Sequence, residues 1–150
     1  MSWRAVTEDD VYASMNDTEA ATLRTVLLKS GQSDPLTTAI TRAVGKVRDA
    51  IRSHADNTLS PTATHVPEGL VETVVALTLH AIGLRMSRAL PITEDRKDAW
   101  KAARMDLRDI AAGKLSVEQY GAAEDASAPT PSPRITSRDR HFTRDTQDGI

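Results

Sequence analysis

Ala99-Trp100-Lys101-Ala102-Ala103-Arg104-Met105-Asp106-Leu107-Arg108-Asp109-Ile110-Ala111-Ala112-Gly113-Lys114-Leu115 reads as a helix with a defined start, three faces and a defined stop. Thr93, upstream, is placed to cap it. Glu94, Asp95 and Asp98 set negative charge against the positive end of the helix dipole. Gly113 can take the left-handed conformation that ends a helix. At about 100° per residue, Trp100, Ala103, Leu107, Ile110 and Ala111 share one apolar face. Lys97, Lys101, Arg104 and Arg108 form a basic ridge, and Asp95, Asp98, Asp106 and Asp109 an acidic one.

A monomer needs only the apolar face. Two charged ridges on one helix suit copies that meet head to tail, basic edge against acidic edge, a heterologous contact that closes into rings. Runs of charge are also commonly plain solvated faces, and on the residues alone both readings stand.

Working outward, Pro91 separates this helix from an apolar stretch over 70–86. There apolar residues wrap nearly the whole circumference, except for a stripe of Thr73, Ala76, His80, Gly83 and Ser87. A helix apolar on most sides is the central one of a bundle. The small-residue stripe admits a close helix neighbour or leaves a lightly polar face for a partner. Pro67 is expected to open this helix, after a Thr-, Ser- and Pro-rich loop over 56–66. Asp34-Pro35 is a start signal with Asp as N-cap and Pro at the first helical position. Leu36, Ile40, Ala43, Val44, Val47, Ala50 and Ile51 then repeat at helical spacing, to about His54. Near the start, Thr7 is set to cap a helix over 8–15, with Val6 packing before it. Asn16 or Asp17 restarts a segment that runs to near Lys29, and 30–33 forms a turn. The fold expected is mainly α, a four- to five-helix bundle with an extended C-terminal tail.

Composition agrees with that class. Two Trp, two Tyr and one Phe leave the core to Leu, Ile, Val and Ala, which favours helices over a β-sandwich. A chain of 150 residues buries roughly 70% of its unfolded surface, enough for one core. Three parts are expected: a helical domain over 1–120, a Pro/Ala/Ser-rich linker over 121–133, and an extended docking tail over 134–150. The linker has almost nothing to bury. The tail carries Arg134, Arg138, Arg140 and Arg144, with Ile135 and Phe142 as apolar anchors. Roughly 30 extended residues reach about 100 Å, far past the chain's own core. Taken alone such a tail is expected to be disordered; docked on a neighbouring protein it would set the anchors in pockets and the arginines on carboxylates.

Much chemistry is excluded. No cysteine is present, so disulfides, thiolate metal sites and cysteine catalysis are out, and a reducing cytosol is compatible. The net charge of −2 does not suit a general nucleic-acid binder. Residues 1–20 carry Glu8, Asp9, Asp10 and Asp17 and no apolar run, so no signal peptide is read. The 70–86 stretch holds Glu72 and His80 and fits a buried helix better than a membrane span. His54, His65, His80 and His141 are dispersed outside any ligand motif. Glu68 with Glu72, and Glu94 with Asp98, are better explained by helix dipoles than by acid–base work. Gly45-Lys46 lacks the upstream glycine of a phosphate loop. No enzyme activity, cofactor or metal is expected.

Taken in order, Trp3-Arg4-Ala5-Val6-Thr7-Glu8-Asp9-Asp10, then Val66-Pro67-Glu68-Gly69-Leu70, then Trp100 with Leu107-Arg108-Asp109-Ile110-Ala111-Ala112-Gly113-Lys114-Leu115-Ser116, then Phe142-Thr143-Arg144-Asp145, the chain resembles the small helical head–tail connector (adaptor) proteins of tailed bacteriophages and Mu-like prophages. The stretch 58–65 departs from that pattern in lacking its Tyr-rich, Pro-Leu residues, and an acidic, Pro-rich insert precedes the terminal motif. The resemblance implies a structural protein made in the host cytoplasm and placed at the virion neck. It implies a ring, dodecameric in the family, that docks beneath the portal protein, meets a downstream neck or tail protein, and passes double-stranded DNA without specific binding. No membrane is involved. A mildly negative channel wall would let the phosphates slide. Two other readings remain: a tail-completion protein of the same virion, and a small helical DNA-binding regulator. The regulator is disfavoured because the basic ridge is matched by an acidic one and no short turn pairs two helices in recognition geometry.

Overall fold

The computed structural model describes residues 2–25 and 31–121. In chain order they form β1 (Trp3–Ala5), α1 (Glu8–Tyr12), α2 (Asp17–Arg24), α3 (Pro35–Ser53), β2 (His65–Pro67), a 3₁₀ turn (Glu68–Leu70), α4 (Val71–Arg85) and α5 (Glu94–Ala111). The fold is mainly helical. The linker from residue 122 and the whole 134–150 tail lie outside the described residues, as does the end of the second segment near Lys29.

The helix starts follow from local chemistry. The Asp10 carboxylate accepts from the Thr7 backbone N–H at 2.8 Å and from its hydroxyl at 3.0 Å. Asn16 Oδ1 accepts from the Glu19 N–H at 2.8 Å, and Asp34 Oδ1 from the Leu36 N–H at 2.9 Å with Pro35 behind it. Helix α1 stops at Tyr12 rather than reaching residue 15, because Ala13, Ser14 and Met15 already turn on Asp9, Val11 and Tyr12 carbonyls toward the Asn16 cap.

Helices α3, α4 and α5 pack pairwise into the central body. Its interior is aliphatic: Val47 and Ile51 from α3, Val74 and Ile82 from α4 and Ile110 from α5 are fully buried, with Leu90 from the connection. The apolar girth of α4 has its expected cause, since both other long helices and α1 lean on it. Thr78, fully buried on α4, gives its hydroxyl proton to the Val74 carbonyl one turn back, 2.8 Å away.

Two expectations are corrected. The N-terminus is not only helical: β1 pairs antiparallel with β2, with Trp3 opposite Pro67, Arg4 opposite Val66 and Ala5 opposite His65. Pro67 closes β2 instead of opening α4, and the 3₁₀ turn intervenes. The Glu68 N–H donates to the Ser2 carbonyl at 3.0 Å, so this stretch meets its backbone needs across the ladder.

Candidate functional site

Helix α5 is held in a fixed rotation, which decides where its ridges point. At its start the Arg96 guanidinium grips the Glu19 carboxylate through both nitrogens, at 3.0 and 2.6 Å, and donates to the Pro91 carbonyl at 2.7 Å. The two side chains are only 16% and 11% exposed. At its end the Gly113 N–H bonds the Ile110 carbonyl and the Lys114 N–H the Asp109 carbonyl, the paired closure of a Schellman stop. Gly113 has φ +70°, and a Cβ there would lie 2.2 Å from His54 Nε2. The apolar face lies inward as expected, with Ala103 and Ile110 buried and Trp100, Leu107 and Ala111 half-buried.

The ridges are not uniform. Lys97 is paired with Glu94, and Lys101 with Asp98 at 2.9 Å, both within the helix. Those acids serve the neighbouring lysines as well as the dipole. Arg104 lies 5.0 Å over the Trp100 ring, and Arg108 is exposed with no carboxylate partner among the described residues. On the acidic ridge Asp95 is exposed, Asp106 and Asp109 are half-exposed, and none of the three has an ion-pair partner among the described residues. The two ridges thus keep Arg104 and Arg108 on one flank, and Asp95, Asp106 and Asp109 on the other, available to a partner.

Tertiary packing adds what the sequence did not show. The free end of the basic ridge borders a hollow of about 420 Å³ floored by Ala50, Leu77, Trp100 and Leu107 and edged by Lys46, Arg104 and Arg108. A second hollow shares Lys46 and Leu77 and adds Ala81, with Arg42 and Arg85 at its edge. Five cations from three helices therefore rim one apolar groove, and no carboxylate lines either part. The small-residue stripe of α4 resolves as a close-approach face. Gly83 leaves room for Ile92, whose Cγ1 would lie 2.7 Å from a Cβ there. The His80 ring stacks on Trp100, with centroids 4.3 Å apart and 19° between planes. Burial, and secondarily the Lys46 charge, push the His80 pKa below its ordinary value.

Three more charged residues act inside the fold. Arg48, buried on α3, donates to the His65 carbonyl at 2.6 Å and the Ser60 carbonyl at 2.8 Å, fastening the 58–65 stretch to the helix. Arg4 grips Asp10 through both nitrogens, at 3.0 and 2.9 Å, tying β1 to α1. The sequence reading missed Arg48 and Arg96, although each is a charge in phase with an apolar stripe, one turn from Val44 and Trp100 respectively. Periodicity marks such positions but not their partners. The tail residues Arg134, Ile135, Arg138, Arg140, Phe142 and Arg144 lie outside the described residues. Among the described residues no His, Asp or Glu cluster is placed to hold a metal ion, and no helix is long and apolar enough to cross a membrane.

The described residues thus form a small helical body with opposed charged flanks on α5. Comparison with known proteins places it more narrowly. Residues 5–134 match the family described as Bacteriophage Mu, Gp36, and the chain belongs to that family, which makes it a phage virion-related protein. No curated protein and no solved structure matches it. The matched stretch takes in the helical body and the linker and stops at Arg134, ahead of Ile135 and Phe142.

Proposed function

We propose that the protein is a head–tail connector of a Mu-like phage, forming a ring beneath the portal that continues the DNA channel toward the tail. The observation that supports this best is that the first two motifs carrying the connector resemblance pair with each other, and the end of the third and the residues after it lie beside them. The first, from Trp3, pairs with the second, at Val66-Pro67, through the β1–β2 ladder. Tyr120, just past the third, sets its ring edge on Trp3 with centroids 6.0 Å apart. Residues scattered over more than a hundred positions thus meet around Trp3.

In this reading the body supplies the ring and the tail supplies the dock. Ile135 and Phe142 fill portal pockets, and Arg134, Arg138, Arg140 and Arg144 pair with carboxylates around them. DNA passes a wall that carries no excess of positive charge, in keeping with the net −2. The test is cryo-EM of the full chain co-expressed with the portal protein of its own phage. A ring seated on the portal, lost when 134–150 is deleted, is the expected result. A chain that ignores the portal overturns the reading. Salt-sensitive binding to duplex DNA would then point to a regulator, and attachment to the tail to a completion protein.

A further inference from the structure

We propose that the basic groove between α3, α4 and α5 receives the outer, acidic face of α5 from a second copy of this chain. The proposal deepens the connector reading by naming the contact through which copies join.

Charge selects the occupant's sign. Arg42, Lys46, Arg85, Arg104 and Arg108 surround the groove, and none has an ion-pair partner among the described residues. A single unpaired surface cation is ordinary, but five around two adjoining hollows that share Lys46 and Leu77, with no acid lining either, make a positive field that favours an acidic occupant. The floor selects its shape. Leu77, Trp100 and Leu107 offer apolar area inside a concavity, which suits a helix carrying small or apolar residues among its acids. A duplex presents phosphates and no apolar surface to such a floor.

The chain carries a matching surface. On α5, Asp98, Ala102, Asp106 and Asp109 succeed one another at helical spacing on the side turned away from the groove, and Met105 stands beside them 65% exposed. A methionine left in water beside these acids and Ala102 is an apolar contact waiting for a floor. Of the acids near it, Asp106 and Asp109 have no ion-pair partner among the described residues and are free to meet the arginines of the groove. Donor and acceptor surfaces lie on different sides of one helix, so two copies cannot satisfy both at once. The contact is head to tail: an open assembly keeps one free groove at one end and one free acidic face at the other until these meet and close a ring.

That asymmetry supplies the test. One full-length variant carries Arg104→Glu with Arg108→Glu, spoiling the groove; another carries Asp106→Asn with Asp109→Asn, spoiling the acidic face. Circular dichroism and thermal melting confirm that each folds. By analytical ultracentrifugation at low and high salt, the natural chain is expected to self-associate in a salt-weakened manner. Each variant alone should associate at least about tenfold more weakly. An equal mixture should form a one-to-one heterodimer that grows no further, since only one intact groove and one intact face remain. A monomeric natural chain, a groove variant that assembles as the natural chain does, or folded variants that fail to pair when mixed would each overturn the proposal. So would duplex DNA retained by the natural chain and lost by the groove variant, with no change in self-association. The connector reading fails separately: a ring of the groove variant seated on the portal removes this contact and keeps that reading, while self-association without portal binding does the reverse.

Discussion

Replacing Arg96 with alanine should destabilise the fold by about 2–3 kcal/mol. Arg96 makes two hydrogen bonds to the Glu19 carboxylate and one to the Pro91 carbonyl, joining α5 to α2 across 77 residues of sequence. An exposed ion pair is worth at most about 1 kcal/mol, and breaking a fully buried one costs about 3–5 kcal/mol because the survivor is left uncompensated. With side chains 16% and 11% exposed, this pair falls between those limits and nearer the second. For a domain stable by roughly 5–15 kcal/mol the loss is large. Urea denaturation at pH 7 measures it, and a double-mutant cycle with Glu19→Gln isolates the pair. Glu19→Gln alone should cost less, since its amide oxygen can still accept from the Asn16 N–H, and the double variant should lose less than the two single losses combined. The acid side gives an independent check. The Arg96 hydrogen bonds hold the Glu19 carboxyl below its ordinary value of 4.5. The stability it contributes is therefore complete above that value and is lost as pH falls through the lowered folded value; Arg96→Ala should remove that loss. An Arg96→Ala protein within about 0.5 kcal/mol of the natural one would refute the reasoning and return the pair to the class of ineffective surface contacts.

Other outcomes follow from the same geometry. The Arg4 hydrogen bond, with help from the Thr7 backbone N–H, lowers the Asp10 carboxyl from 3.8 to about 2; stability should drop by about 1 kcal/mol as pH falls between those values, discounted for the exposed Arg4, and Asp10→Asn should remove the step in a urea-midpoint profile. Gly113→Ala should cost about 1–2 kcal/mol by thermal denaturation, because φ is +70° and the new Cβ meets His54; adding His54→Ala should recover the steric part only. His80 stays neutral in the fold below its ordinary 6.5, through burial first and Lys46 second. The unfolded chain then binds the proton that the folded chain refuses, so stability should fall as pH drops below 6.5, and His80→Phe should flatten that slope while keeping a ring on Trp100.

The helix boundaries were legible in the sequence wherever the deciding hydrogen bond has its partner within one turn. Thr7, Asp34 with Pro35, Thr93 and Gly113 act at the positions read for them, and of Asn16 and Asp17 it is Asn16 that caps, because caps and stops are contracts between neighbours. The inner face of α5 and the central place of α4 were legible for a related reason: periodicity reports which residues turn to a core. Pairings between distant segments were not. Three-residue strands carry no alternation to read, so the β1–β2 ladder that joins Trp3 to Pro67 emerges only when α3 and α4 bring both ends together. Nothing near Arg96 names Glu19, and nothing near Arg48 names the carbonyls of Ser60 and His65. The same holds for the surface. The sequence drew two ridges on one helix, but a ridge becomes a groove only when packing sets the rotation of α5 against α3 and α4. That rotation leaves Arg104 and Arg108 beside Lys46, while two lysines of the same ridge find acids on their own helix. Local order follows from bonds between residues close in the chain, whereas the shape and sign of a surface follow from how helices are turned against one another, which only the packed core decides.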